Sequence, residues 1–409
     1  MAHSSSPDGV ALRLVEVAVD AVGPAGGQTL TYHLPDDLID VTVGEAVLVE
    51  YGRRKAIGVV LRVGEAPEPG RDTKPVVARV RSDGPLLARL QVELARHVAT
   101  HYLAPPALVV RAMLAPGMLE RVERTVRPGA DGGVDTQWSV RPPEAREKVE
   151  RLVALTVAGR DALANPPVRL GERQRALLEE LGADAPELVS SARVAERHGS
   201  GTVRNLLNKG WLEATLVRVE RRPRQGRPDP IRGTMPTDGA LSVEQAAAVR
   251  RVEELVAARQ HVGILLEGQP ASGKSAVYAA AVAAALRAGR GALVLVPEIA
   301  LAMPLLERIQ HDTGHDLALL HSSLSQGERA DEWRRIRAGE ARVVVGTRIA
   351  ALAPIADLGV IVVDEEHDAS YKSERTPRYQ ARDVALVLGR LAAAPVILGS
   401  ATPDVVTVG

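Results

Sequence analysis

Residues 261–275 read HVGILLEGQPASGKS, and from Ser275 the chain runs on as SAVYAAAVAAALRAG. A short apolar run, a glycine-rich turn and a stretch of strong helix formers make a strand, a loop and a helix in succession. The turn, 268-GQPASGKS-275, fits G-x-x-x-x-G-K-[ST]. In that pattern backbone N–H groups cradle phosphates, a lysine (Lys274) reaches the terminal ones and a hydroxyl (Ser275) takes magnesium. The candidate phosphate cradle is therefore Gly268, Gln269, Pro270, Ala271, Ser272, Gly273, Lys274 and Ser275. Downstream, 361-IVVDEEH-367 ends a β-branched run in adjacent carboxylates. Asp364 and Glu365 there suit holding Mg²⁺ and polarising a water. A third string, 399-GSATP-403, follows.

Around these motifs, from Leu241 onward, the runs GILLE, ALVLVP, LALLH, ARVVVG, GVIVVD and PVILGS alternate with helical stretches. Such spacing predicts an α/β lobe over 240–409 with a parallel sheet covered on both faces. Ligands in such sheets bind beyond the carboxyl ends of the strands, where all three motifs fall.

The front half differs. Residues 11–82 alternate apolar and polar at period two between Gly/Pro turns, which predicts a small antiparallel β-domain. A helical pattern, PLLARLQVELARHVATHYL, begins at Pro85, so that 11–110 reads as a β-rich domain with an exit helix. Within 111–220, RPGADGGVD reads as a flexible loop and REKVERLVALTVAGRDAL as a helix. Three further helices and a strand over 171–220 outline either a winged helix or a plain helical adaptor. Residues 221–239 carry five arginines and four prolines, a linker that either follows a phosphate backbone or is simply solvated. Residues 1–10 read as a disordered tail.

Composition sets outer limits. Lysine plus arginine equals aspartate plus glutamate at 51 each, so any nucleic-acid surface must be local. With no cysteine there are no disulfides or thiolate metal sites, and with no long apolar run no membrane partner is expected, which makes a cytoplasmic protein the default. Phenylalanine is absent and aromatics total 2%, so the pair Tyr371 and Tyr379 among Lys372, Arg375, Arg378 and Arg382 stands out. Those rings either stack on bases or pack on a neighbouring helix.

The strings LSVEQ (241–245), GQPASGKS, VPEIAL (296–301), LHSSLSQGER (320–329), GTRIAAL (346–352), VVDEEHDASYK (362–372), PRYQARDVA (377–385) and ILGSATP (397–403) resemble the PriA family of superfamily 2 replication-restart helicases. That resemblance implies a multidomain chain: a DNA 3′-end-binding domain, a winged-helix DNA-binding region and the first RecA-like ATPase lobe of a 3′–5′ DNA helicase. It implies ATP contacts by Gln245 and the phosphate loop, with Lys274, Asp364 and Glu365 catalytic and Ser275 and Asp364 on magnesium. It further implies that Pro297, Glu298, Gly346, Thr347 and Arg348 track a DNA strand. For Arg348 taken alone, a surface salt bridge is the competing reading. His367, Ser400 and Thr402 would couple nucleotide state to DNA, and Tyr371, Tyr379 and Arg382 would belong to a DNA-sensing aromatic-rich loop.

In the front domain Gly52 and Lys74 match the family's 3′-end pocket, whereas Leu30 and Thr31 stand where it has an aromatic and an acidic residue. Implied partners are forked and single-stranded DNA, primosome proteins and single-stranded-DNA-binding proteins. The family's zinc module and second lobe, which supplies an arginine finger, have no counterpart in these 409 residues. The chain alone is thus expected to hydrolyse ATP poorly and not to unwind duplex. A non-catalytic DNA-binding platform is the competing class, and an unrelated phosphate-loop kinase leaves GSATP and the front half unexplained.

Overall fold

The computed structural model describes residues 13–20, 29–65, 73–128, 134–167, 170–183, 188–219, 221 and 241–403. The described chain forms two compact units, one of 1–145 with 222–409 and a second of 146–221. The predicted tail and nearly all of the arginine/proline linker lie outside the described residues, as does the centre of RPGADGGVD.

The first unit opens with five strands, β1 (Arg13–Val19), β2 (Thr29–His33), β3 (Ala46–Tyr51), β4 (Arg54–Glu65) and β5 (Lys74–Arg79), closed into a barrel in the order β1-β2-β5-β3-β4. Closure leaves no free edge. Val15, Val17, Val47, Val49 and Val60 fill the interior, while Leu48, Ile57, Val59 and Leu61 face outward onto helices. The expected all-antiparallel pairing is corrected at one place: β2 and β5 run parallel, Tyr32 opposite Lys74. Their contact is only two residues long, and the closing strand simply arrives from the other end.

Helices α1 (Arg89–His101) and α2 (Pro106–Met113) leave the barrel, and a two-stranded hairpin follows, β6 (Arg121–Pro128) with β7 (Val134–Arg141). In the second unit the expected helix over 146–163 is corrected. Val149–Leu155 is a strand (β8), and α3 (Val157–Ala164) starts only at Thr156, whose hydroxyl accepts from Gly159 N–H. The run VERLVAL buries alternate residues, and a full antiparallel ladder to the distant strand Leu212–Arg218 decides its form. The unit continues with α4 (Glu172–Ala183), β9 (Val189–Ser190), α5 (Ser191–His198), α6 (Ser200–Asn208) and that strand, β10, giving a sheet ordered β10-β8-β9. Leu177, Leu178, Val194 and Leu206 form its core.

The remainder of the first unit is an α/β lobe. Its elements are α7 (Val243–Ala258), β11 (Gly263–Glu267), α8 (Lys274–Arg287), β12 (Gly291–Leu295), α9 (Met303–Thr313), β13 (Leu317–Leu320), α10 (Gln326–Arg337), β14 (Val343–Gly346), β15 (Leu358–Val363), α11 (Ala381–Ala392) and β16 (Val396–Ser400). All six strands pair in parallel in the order β11-β16-β15-β12-β14-β13. On β12, Leu293 and Leu295 enter one core while Ala292 and Val294 enter the other, the period-two consequence of burial on both faces. Among the described residues no helix is long and apolar enough to cross a membrane.

Barrel and lobe share one of these cores. Its outer barrel residues, α1, α2 and one face of the parallel sheet are continuous. Helix α10 supplies the polar contacts: Gln326 donates to Pro116 O (3.2 Å), Trp333 Nε1 to Met113 O (2.8 Å) and Arg337 Nη2 to Pro85 O (2.9 Å). From the other side, Gln91 donates to Ile355 O at 2.7 Å.

Arg337 also meets Asp83 at 2.8 Å. Hydrogen bonding from Arg81, then from Arg337, holds the Asp83 carboxyl well below the usual carboxylate range. A carboxylate depressed in the native state stabilises above its unfolded pKa of about 3.9, and that contribution fades as pH falls toward the native value. Asp83→Asn should therefore lower the urea-unfolding midpoint at pH 7, and the gap to the parent should shrink steadily below about pH 4. A gap of equal size at pH 3 would contradict this.

Candidate nucleotide and nucleic-acid site

The phosphate-loop sequence leaves β11 at the lobe's edge and enters α8. Gly273 carries a positive φ of 86° and Ala271 one of 62°. At Gly273 a side chain would collide with Gln245, its Cβ falling 2.6 Å from Nε2. Helix α8 begins at Lys274 without a side-chain cap, so its first N–H groups are open to an anion, favoured there by the helix dipole. Gln245 braces the loop from α7. Its Oε1 accepts from Ser242 N–H at 2.9 Å in a capping box, and its Nε2 donates to Ser272 O at 3.0 Å.

Lys274 Nζ donates to Gly268 O at 2.8 Å and stands 3.6 Å from Glu365 Oε1. Asp364, at the end of β15, accepts from the Tyr278 hydroxyl at 3.0 Å. Burial pushes its carboxyl above the usual range, and Glu365 adds to this, while Tyr278 and Lys274 oppose it. Burial beside these carboxylates likewise drives the Tyr278 phenol up. Glu365 sits at φ 45°, a left-handed turn that separates its direction from that of its neighbour. An uncapped helix N-terminus, its lysine 3.6 Å from Glu365 and the adjacent Asp364 fit a phosphate chain with a divalent cation, the hard oxygen ligands being those Mg²⁺ prefers.

The predicted coupling residues also meet. His367 Nδ1 lies 2.8 Å from Ser400 Oγ and its Nε2 3.5 Å from Thr402 Oγ1, while Ser400 Oγ accepts from Thr402 N–H at 3.0 Å. The strand-end group is more dispersed. Pro297 and exposed Glu298 follow β12, while Gly346 ends β14 and Thr347 and Arg348 follow it. Arg348 donates to Ser370 O at 2.9 Å, and Ser370 Oγ reaches Pro297 O at 3.5 Å, joining the two loops. In the barrel, Lys74 reaches Glu50 at 3.1 Å and the carbonyl of Gly52 at 3.4 Å. Leu30 and Thr31 lie on β2, one strand away.

Two expectations are corrected. Tyr371 and Tyr379 are 0% and 3% exposed and offer no face to a base. Tyr371 donates to Asp364 O at 2.6 Å and Tyr379 to Arg348 O at 3.0 Å, so the rings fill the gap between this loop and the sheet. Nor does Arg382 face solvent. It pairs at 3.0 Å with Glu366, whose side chain is wholly buried. Sequence reading passed over Glu366, although a third consecutive acid directly after a buried strand was the available signal. Cations near the tyrosines suggested a surface, and burial cannot be read from such clustering.

A 3′ DNA-binding domain model matches residues 16–115, and a DEAD/DEAH box helicase model matches 244–408. Replication restart protein PriA of Bacillus subtilis is 30% identical over 437 aligned positions, covering 96% of this chain and 53% of that protein. Its Chlamydia pneumoniae counterpart is 29% identical, over 94% of this chain and 48% of that protein. The Helicobacter pylori counterpart is 42% identical over 41% of this chain and 26% of that protein. The chain spans about half the length of the curated relatives it matches. The barrel thus resembles a 3′ DNA-binding domain, and the α/β lobe after it resembles a DEAD/DEAH box helicase domain. On these matches the chain is PriA-like.

The Glu366–Arg382 pair should be essential to the lobe. Glu366→Ala or Arg382→Ala alone strands a buried charge and should cost about 3–5 kcal/mol. The double alanine variant should lose markedly less than the sum, which a double-mutant cycle by urea denaturation measures.

Proposed function

We propose that this chain is the DNA- and ATP-binding part of a PriA-type replication-restart helicase. Residues 11–110 would engage DNA ends, 111–220 would add a winged-helix contact and 240–409 would form the first ATPase lobe. The observation that carries the reading is Lys274 Nζ at 3.6 Å from Glu365 Oε1, beside buried Asp364 and the uncapped start of α8. A lysine, an acid pair and a glycine cradle at one strand-end pocket serve a nucleoside triphosphate and few other ligands.

In this reading Gln245 contacts adenine while bracing Ser272, and the amides of the loop with Lys274 bind the phosphates. Ser275 and Asp364 would hold Mg²⁺, which supplies charge neutralisation at the transferred phosphate. Glu365 orients the attacking water. His367, with Ser400 and Thr402, couples nucleotide state to DNA, and the Tyr371 hydroxyl ties the loop before α11 to the backbone of Asp364. Pro297, Glu298, Gly346, Thr347 and Arg348 follow a DNA backbone. Partners would be forked and single-stranded DNA, primosome components and single-stranded-DNA-binding proteins. In the second unit, helices α4 to α6 packed on the β8/β10 ladder support the winged-helix assignment.

Lys274→Ala should remove most Mg²⁺–ATP affinity by taking the cation from a part-buried phosphate site. Calorimetry showing unchanged binding would reject the site. DNA binding should be structure-tolerant and should fall linearly with salt on logarithmic axes. An affinity for forked DNA that ignores salt would count against phosphate contacts.

A further inference from the structure

The barrel carries a second concavity beside the Gly52–Lys74 group, the two meeting at Glu50 on β3, which pairs with Lys74 and lies opposite Lys55. It is an open cleft of about 360 Å³ between the β3–β4 turn and the start of β6. Tyr51 forms one wall, Ile57 and Val122 the apolar floor, and Arg54, Lys55 and Arg121 the rim. The charges around it are unequally satisfied. Asp20 is bound by Arg111, Glu120 by Arg81 at 3.0 Å, and Arg121 by Glu144. Arg54 and Lys55, with Arg53 at the turn beside them, have no hydrogen-bonding or ionic partner for their side chains among the described residues. The two acids in the cleft are therefore bound from outside it, and Glu50, across the ladder from Lys55, is taken up by Lys74, so the rim carries more positive than negative charge.

The expected DNA-end residues present the opposite case. Lys74 is already paired with Glu50, and Leu30 and Thr31 supply neither a ring to stack nor an acid to accept from a base edge. A cationic rim above an aromatic wall is the arrangement that binds a single strand, phosphate on the cations and base on the ring.

We propose that the Tyr51–Arg54–Lys55 cleft binds a nucleotide unit of single-stranded DNA and is the barrel's principal nucleic-acid contact, in place of the Leu30–Thr31–Gly52–Lys74 group. This rests on the DNA-binding part of the reading above, not on its phosphate loop. The cleft uses the returning arm of the turn at Gly52, where φ of 60° suits glycine and reverses the chain so that Arg54 and Lys55 lie opposite Tyr51 and Glu50 on β3.

The test compares the full chain with Arg54→Ala/Lys55→Ala and, separately, Lys74→Ala, using a 15-nucleotide oligothymidylate at several salt concentrations. The double variant should bind on the order of tenfold more weakly at low salt, and its salt slope should fall by about 1.4, two phosphates at about 0.7 each. Lys74→Ala should stay within about twofold of the parent. Tyr51→Trp should report binding by emission quenching that the double variant abolishes. The proposal is overturned if the double variant keeps the parent's affinity and slope, or if Lys74→Ala costs as much. A parent chain that does not bind the oligonucleotide removes the DNA-binding reading and this cleft together. Nucleotide binding, lost only through Lys274→Ala, is scored independently on the same protein.

Discussion

Glu366 has no contact with solvent, so its charge must be met inside the protein, and Arg382 meets it. The geometry of the candidate site depends on this pair. Glu366 N–H donates to Gly399 O at 3.0 Å, binding the acid-rich turn to β16, while its side chain binds the same turn to the first turn of α11. Asp364 and Glu365 are thereby held on one side of that anchor and His367 on the other. An unpaired charge at such depth would cost several kcal/mol. The turn therefore has one stable seating, and its neighbours inherit it.

A second buried cation does similar work at the opposite end of the sheet. Arg290, between α8 and β12, is 1% exposed. It donates to Asp357 at 2.9 Å, to Leu358 O at 2.5 Å and to Ala392 O at 2.7 Å. It joins the entry of β15 to the end of α11. Strand β15 is thus tied to α11 by an arginine at each end, which keeps its carboxyl terminus, and the acids there, in register with the phosphate loop.

The lobe was legible because its physics is local. Six short apolar runs, most of them rich in valine or isoleucine and separated by helical stretches, state the burial of the strands and their parallel direction. The strings GQPASGKS and DEEH carry their chemistry in their own spacing. What escaped the reading depended on partners distant in sequence. VERLVAL takes strand form because Leu212–Arg218 lies beside it, and β5 runs parallel to β2 because a barrel must close. Tyr371 and Tyr379 looked like a surface pair on composition, yet their hydroxyls have main-chain acceptors that only the folded loop provides.

The seam between barrel and lobe is written almost wholly in main-chain carbonyls. Pro85, Met113, Pro116 and Ile355 accept, and Arg337, Trp333, Gln326 and Gln91 donate. A carbonyl is the same on every residue, so the accepting positions are anonymous and can drift to any side chain that keeps the backbone path. The donors have no such freedom, since each reaches across with a specific length and a specific N–H. Substitution across this seam should therefore be lopsided, permissive at those four carbonyl positions and strict at the four donors, three of them on one face of α10, and at Asp83, whose carboxylate also meets Arg337.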